Sequence, residues 1–135
     1  MTQQATLGWV IIYVPDVPDA LDFYERAFGL RRTFVNPPAD FGQLDTGQTA
    51  LAFANRTRAE HEIGGTYQQP DPAAEPFNVE ICLVFADPHT AYRHAITAGC
   101  TPVTEPQAKP HGQTTGFLRD PYGTLIEIAS PLPTK

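Results

Sequence analysis

The side chains able to do chemistry in this chain are few and scattered. Two cysteines, Cys82 and Cys100, lack the spacing of metal-ligating pairs and read as reduced core thiols rather than as a disulfide. Of the four histidines, His89 and His94 fall at helix-face positions and are expected to be exposed. His61 lies in a long aperiodic segment and supplies a nitrogen only if that segment folds over a site. His111, in Lys109-Pro110-His111-Gly112-Gln113-Thr114, precedes a strand. It reads either as a polar loop residue or, with Gln113 beside it, as a ligand-contacting donor or acid/base. Glu127 sits between Ile126 and Ile128, so in a strand its side chain takes the opposite face. Trp9, the single tryptophan, offers a flat apolar surface and one N–H donor. That suits stacking on a planar organic molecule, or packing in a core.

The elements that must position these residues come in two copies. Val10 to Val14 forms an apolar run, followed by Pro15-Asp16, a helical stripe of Ala20, Phe23, Tyr24, Ala27 and Phe28, and Gly29. Asp87 follows Asp16 by 71 positions, and Ala91 follows Ala20 by the same offset. The second copy runs from Ile81-Cys82-Leu83-Val84 through Asp87-Pro88 and a stripe of Ala91, Tyr92, Ala95 and Ile96 to Gly99.

Strands then follow each helix. Phe34-Val35, Phe41 to Leu44 and Thr49 to Phe53 complete the first copy. Pro102 to Thr104, Gly116 to Arg119 and Leu125 to Ala129 complete the second. Asp120-Pro121-Tyr122-Gly123 is a turn signal. Leu7, Trp9, Ile11 and Tyr13 alternate with Val10, Ile12 and Val14, which gives the first strand two apolar faces. The fold class is therefore α+β: tandem βαβββ modules forming a curved mixed sheet around a cavity. Residues 1–135 read as a single domain, with module one at about 5–54 and module two at about 77–131. The connecting loop at about 55–76 is either a lid or a linker.

At 135 residues the chain can bury a core without disulfide or metal staples. Nine basic residues against 15 acidic ones give a net charge of −6, and the basic ones form no patch, which argues against nucleic acid. No apolar run nears the roughly 18 residues of a membrane span, and no leader is evident, so the expectation is a cytoplasmic protein without a membrane partner.

The doubled βαβββ order, with Asp16…Phe23-Tyr24…Gly29-Leu30 and Asp120-Pro121-Tyr122-Gly123…Ile126-Glu127-Ile128, resembles the vicinal oxygen chelate superfamily. That group includes glyoxalase I, bleomycin-resistance proteins, fosfomycin-resistance enzymes and extradiol dioxygenases. The resemblance extends from about Leu7 to Pro131. It implies four metal-ligand positions, occupied here by Trp9, Ala52, Glu80 and Glu127. Two of these four have no side-chain donor for a metal. Glu80 and Glu127 remain, as tentative catalytic residues or as the only metal ligands if a divalent ion binds; otherwise no cofactor is expected. Glu80 also reads as a rim residue at a strand start. Brought together as anions, the two would repel, and one could keep its proton.

Two functions follow from the resemblance. The first is metal-independent sequestration of an aromatic or amphipathic small molecule, in the manner of bleomycin-resistance proteins. Its ligand-binding residues would be Trp9, Ala52, Phe53, His111, Gln113, Phe117 and Tyr122. The alternative is a lyase or isomerase using Glu80 and Glu127 with a divalent metal or as an acid/base pair. A degenerate relative with a structural role ranks behind both. The resemblance also implies a homodimer.

Overall fold

The computed structural model describes residues 2–134, which divide into two compact units between Tyr67 and Gln68. The first unit contains β1 (Trp9–Val14), α1 (Val17–Phe28), β2 (Arg31–Val35), β3 (Phe41–Asp45), β4 (Ala50–Asn55) and α2 (Arg56–Ile63). The second contains β5 (Glu80–Val84), α3 (Pro88–Ala98), β6 (Thr101–Ala108), β7 (Thr114–Arg119) and β8 (Leu125–Ala129). Each unit holds one four-stranded mixed sheet, ordered β1-β4-β3-β2 in one and β5-β8-β7-β6 in the other. In both, the first strand pairs in parallel with the last, and the remaining pairs are antiparallel. The βαβββ order expected from the repeat is thus present twice.

Local chemistry explains where the helices begin and end. Asp16 accepts the Asp19 N–H at 3.0 Å, Pro18 occupies the first turn, and Gly29 closes α1 in the left-handed region at φ 69°. Asp87 does the same for α3, accepting from Thr90 N at 3.2 Å with Pro88 at the start. The buried stripe of α1 includes Leu21 and Val17 beside the expected aromatic residues. Full burial of a side chain such as Leu21 or Tyr24 stabilises by about 1.5–3 kcal/mol. Close approach of α1 to the sheet needs Gly42: a Cβ there would lie 2.7 Å from Leu21 Cδ1.

Two expectations need correction. Within the aperiodic segment after Asn55, residues 56–63 form a helix. Asn55 caps it by accepting from Arg58 N at 2.9 Å, and Gly64 ends it at φ 77°. Ala59 is the one buried residue of α2, so the helix leaves no apolar period in the sequence. Further along, Arg119 donates to the backbone carbonyls of Asp71, Pro72 and Ala74, and so holds the 71–74 stretch against β7.

The second correction concerns the cysteines. Both are free thiols, but only Cys100 is buried; Cys82 is exposed on β5. Strand alternation puts the half-buried Ile81 and Leu83 on one face of β5 and turns Cys82 to the other.

Candidate functional site

In the first unit, α1 covers one side of the sheet and the strand register composes the other. Trp9 pairs with Ala50, Ile11 with Ala52 and Tyr13 with Ala54 along β1 and β4. Across β4, Ala52 pairs with Gln43, and Ala54 with Phe41. Trp9 Nε1 donates to Gln43 Oε1 at 3.1 Å, and Gln43 Nε2 donates onward to Thr33 Oγ1 at 3.3 Å. Because β4 lies between β1 and β3, the Trp9–Gln43 bond must cross over β4. Small side chains at positions 50 and 52 leave room for that crossing. Ala52 has no exposed surface, whereas Trp9 keeps 57% of its own.

Aromatic and charged groups border this face. The rings of Tyr13 and Tyr67 lie 5.0 Å apart. Arg58 stands 5.1 Å from the Phe41 ring centre while its Nη1 pairs with Asp40 Oδ1 at 3.2 Å. Hydrogen bonding from Asn36, and then from Arg58, holds the Asp40 carboxyl below its ordinary pKa. Phe34 and Ile11 are exposed.

The second unit has the same register with different chemistry. Glu80 pairs with Leu125 as Trp9 does with Ala50, and Cys82 pairs with Glu127 as Ile11 does with Ala52. Across β8, Phe117 faces Glu127 just as Gln43 faces Ala52. Glu80 and Trp9 thus hold the same register position in their respective sheets, as do Glu127 and Ala52. Desolvation, a hydrogen bond with Glu127 and the negative charge of Glu127 together raise the pKa of Glu80. Desolvation, then the charge and hydrogen bonding of Glu127, push the Cys82 thiol up to about 11. Glu127 is therefore the hub of a carboxyl–carboxyl–thiol cluster, with the half-buried Phe117 beside it.

Other sequence candidates sit elsewhere. Phe53, fully buried, lies on the helix-covered side of its sheet, its ring 4.9 Å from that of Tyr24. Alternation separates it from Ala52, so it belongs to the α1 core and leaves the ligand-facing set. His111 and Gln113 form a strap at the end of β7. His111 Nε2 and Gln113 Oε1 are 2.7 Å apart, and Gln113 Nε2 donates to Ser130 O at 2.8 Å. Gln113, the nearer member of that strap, is four residues from Phe117 along the chain, about 13 Å away. Tyr122 occupies the β7–β8 turn, its backbone N–H bound to Asp120 Oδ1 at 3.0 Å. His61 is exposed on α2, and His89 and His94 are exposed on α3.

Sequence reasoning missed two participants, Gln43 and Cys82. Both were readable by strand alternation: Gln43 faces away from the buried Leu44, and Cys82 falls two residues after Glu80 on one face. The donor set does not fit a metal centre of three or more protein ligands. Neither Trp9 nor Ala52 carries a ligating atom for one, and among the described residues no group of three or more His, Cys, Asp or Glu is arranged to hold an ion.

Two mixed sheets with repeated register, each covered by one helix, define a tandem βαβββ protein. The profile of the Glyoxalase/Bleomycin resistance protein/Dioxygenase superfamily matches residues 6–128, and the chain belongs to that superfamily. Its fold is similar to that of a glyoxalase-related enzyme from Fulvimarina pelagi, with a TM-score of 0.77 and 20% identity over 96% of this chain and 89% of the other. It is similar to a family enzyme from Burkholderia phytofirmans, at TM-score 0.76 and 20% identity over 93% and 98% of the two chains. A superfamily member from Sphaerobacter thermophilus gives 0.72 and 24% over 95% and 98%. No curated protein matches the sequence. Among the described residues, no helix is long and apolar enough to cross a membrane.

Proposed function

We propose that the protein binds a small aromatic or amphipathic molecule without a metal, with Trp9 as the contact surface. The observation that carries this reading is the Trp9–Gln43 hydrogen bond over Ala52. It holds an exposed indole in one orientation at a position that the resemblance assigns to a metal ligand, and a fixed aromatic surface loses little entropy when a planar ligand stacks on it. Titration of the single tryptophan with a panel of planar antibiotics and metabolites tests the proposal. Saturable quenching by at least one, with calorimetric binding of the same compound lost in Trp9→Leu, supports it; no quenching across the panel defeats it.

A second reading is favoured by the Glu80–Glu127 contact. A carboxyl whose pKa is raised by burial and by a second carboxyl hydrogen-bonded to it is suited to moving a proton next to a carbonyl. In this reading the protein is a lyase or isomerase, and Glu127→Gln abolishes a turnover that Trp9→Leu leaves intact. A homodimer belongs to either reading. The family resemblance is its support, and sedimentation velocity tests it.

A further inference from the structure

A groove of about 600 Å³ runs between α3 and β6 in the second unit, and none of Glu80, Cys82 or Glu127 lines it. Its helix wall presents His89 and Arg93, one turn apart and so on the same side of α3. The strand wall presents Glu105 and Pro106, and Tyr92 and Ile96 lie between. Tyr92 is 5% exposed, and its hydroxyl donates to Phe117 O at 3.0 Å, which fixes that side chain.

The strand wall is shaped by its prolines. Pro102 and Pro106 cannot donate to the ladder, and the β6–β7 register shifts twice between Pro102 and Gln107. Gly116 lets the displaced strand settle on β7, since a Cβ there would lie 2.8 Å from Pro106 N.

Arg93 and Glu105 line opposite walls of this groove, and Asp87 is the anion that interacts with Arg93. Arg93 Nη2 donates to Thr90 Oγ1 at 3.3 Å, and Thr90 Oγ1 donates to Asp87 Oδ2 at 2.7 Å, so the guanidinium is kept along its own helix. Among the described residues no ion pair joins Arg93 to Glu105. Arg93 on one wall, Glu105 on the other and an apolar strip between them complement a molecule carrying both charges and an apolar body. The volume is within the roughly 300–1,000 Å³ of small-molecule pockets.

We propose that this groove binds a small zwitterion of the amino-acid type. Its carboxylate lies on Arg93 and His89, its ammonium on Glu105, and its side chain against Ile96 and Pro106. The site is independent of the function proposed above and uses none of its residues.

The test follows amide resonances of the ¹⁵N-labelled full chain during titration with L-phenylalanine, 3-phenylpropionate and phenethylamine. L-Phenylalanine should shift α3 and β6 amides and bind tightest of the three. Arg93→Gln should weaken L-phenylalanine and 3-phenylpropionate roughly ten-fold and spare phenethylamine. Glu105→Gln should weaken L-phenylalanine and phenethylamine similarly and spare 3-phenylpropionate. Both substitutions are at exposed positions, and unchanged circular dichroism confirms that the variants fold. The proposal is overturned if L-phenylalanine leaves α3 and β6 unshifted at tens of millimolar. It is equally overturned if either variant binds L-phenylalanine as the parent does, or if 3-phenylpropionate binds as tightly.

Discussion

Trp9 and Gln43 are 34 residues apart in sequence and two strands apart in the sheet, yet they share a 3.1 Å hydrogen bond over the strand that separates them. The bond depends on what is absent beneath it, because Ala50 and Ala52 project only a methyl group each. It gives the first unit a fixed aromatic surface where the second unit has carboxylates.

Removing the anchor should loosen the indole. Gln43→Ala is expected to lower the steady-state fluorescence anisotropy of Trp9, with a stability change of no more than about 1 kcal/mol, since the bond is neutral and exposed. Ala52→Leu should do the same by displacing the ring. Anisotropy unchanged in both variants would show that the bridge does not hold Trp9 in solution.

The raised pKa of Glu80 has a definite sign in stability. A carboxyl whose folded pKa exceeds its unfolded value stabilises the fold fully at low pH, and that contribution is lost as pH rises through the raised value. Thermal stability should therefore carry a decrement that grows upward from the ordinary carboxyl pKa of 4.5. Glu127→Gln removes the neighbouring charge and leaves the desolvation, so the decrement should shrink without vanishing. Melting temperatures of both proteins across pH 4 to 8 check this.

The Cys82 thiol, pushed up to about 11, is expected to alkylate slowly with iodoacetamide at pH 8 despite the residue's exposure. Glu127→Gln should speed the reaction by removing the adjacent anion. Mass spectrometry of the modified peptide distinguishes Cys82 from the buried Cys100, whose thiol burial pushes up to about 12.

Gly42→Ala should destabilise the first unit by about 1–3 kcal/mol, because the new methyl would lie 2.7 Å from Cδ1 of the buried Leu21. Chemical denaturation measures it. A stability loss below about 0.5 kcal/mol would mean that α1 can shift away from the sheet.

How much of this was legible in the sequence varied with the kind of signal. The repeat offset, the Asp-Pro helix entries and the closing glycines located α1, α3 and their strands, since each leaves a local chemical mark. α2 left none, because a helix that buries only Ala59 has no apolar period. At the site, register fixed the correspondence of Trp9 with Glu80 and of Ala52 with Glu127. Phe53 went astray because its assignment followed its neighbour Ala52, although adjacent strand residues face opposite ways. Gln43 escaped notice because its partner is 34 residues away, a distance no short-range pattern spans.

The indole over Ala52 also constrains the chain's evolutionary history. A carboxylate introduced at position 52 alone would arrive under an anchored ring, buried and without a cation, and would cost stability before conferring any donor. Release of Trp9 would have to come first, and by itself that step gives up the fixed aromatic surface.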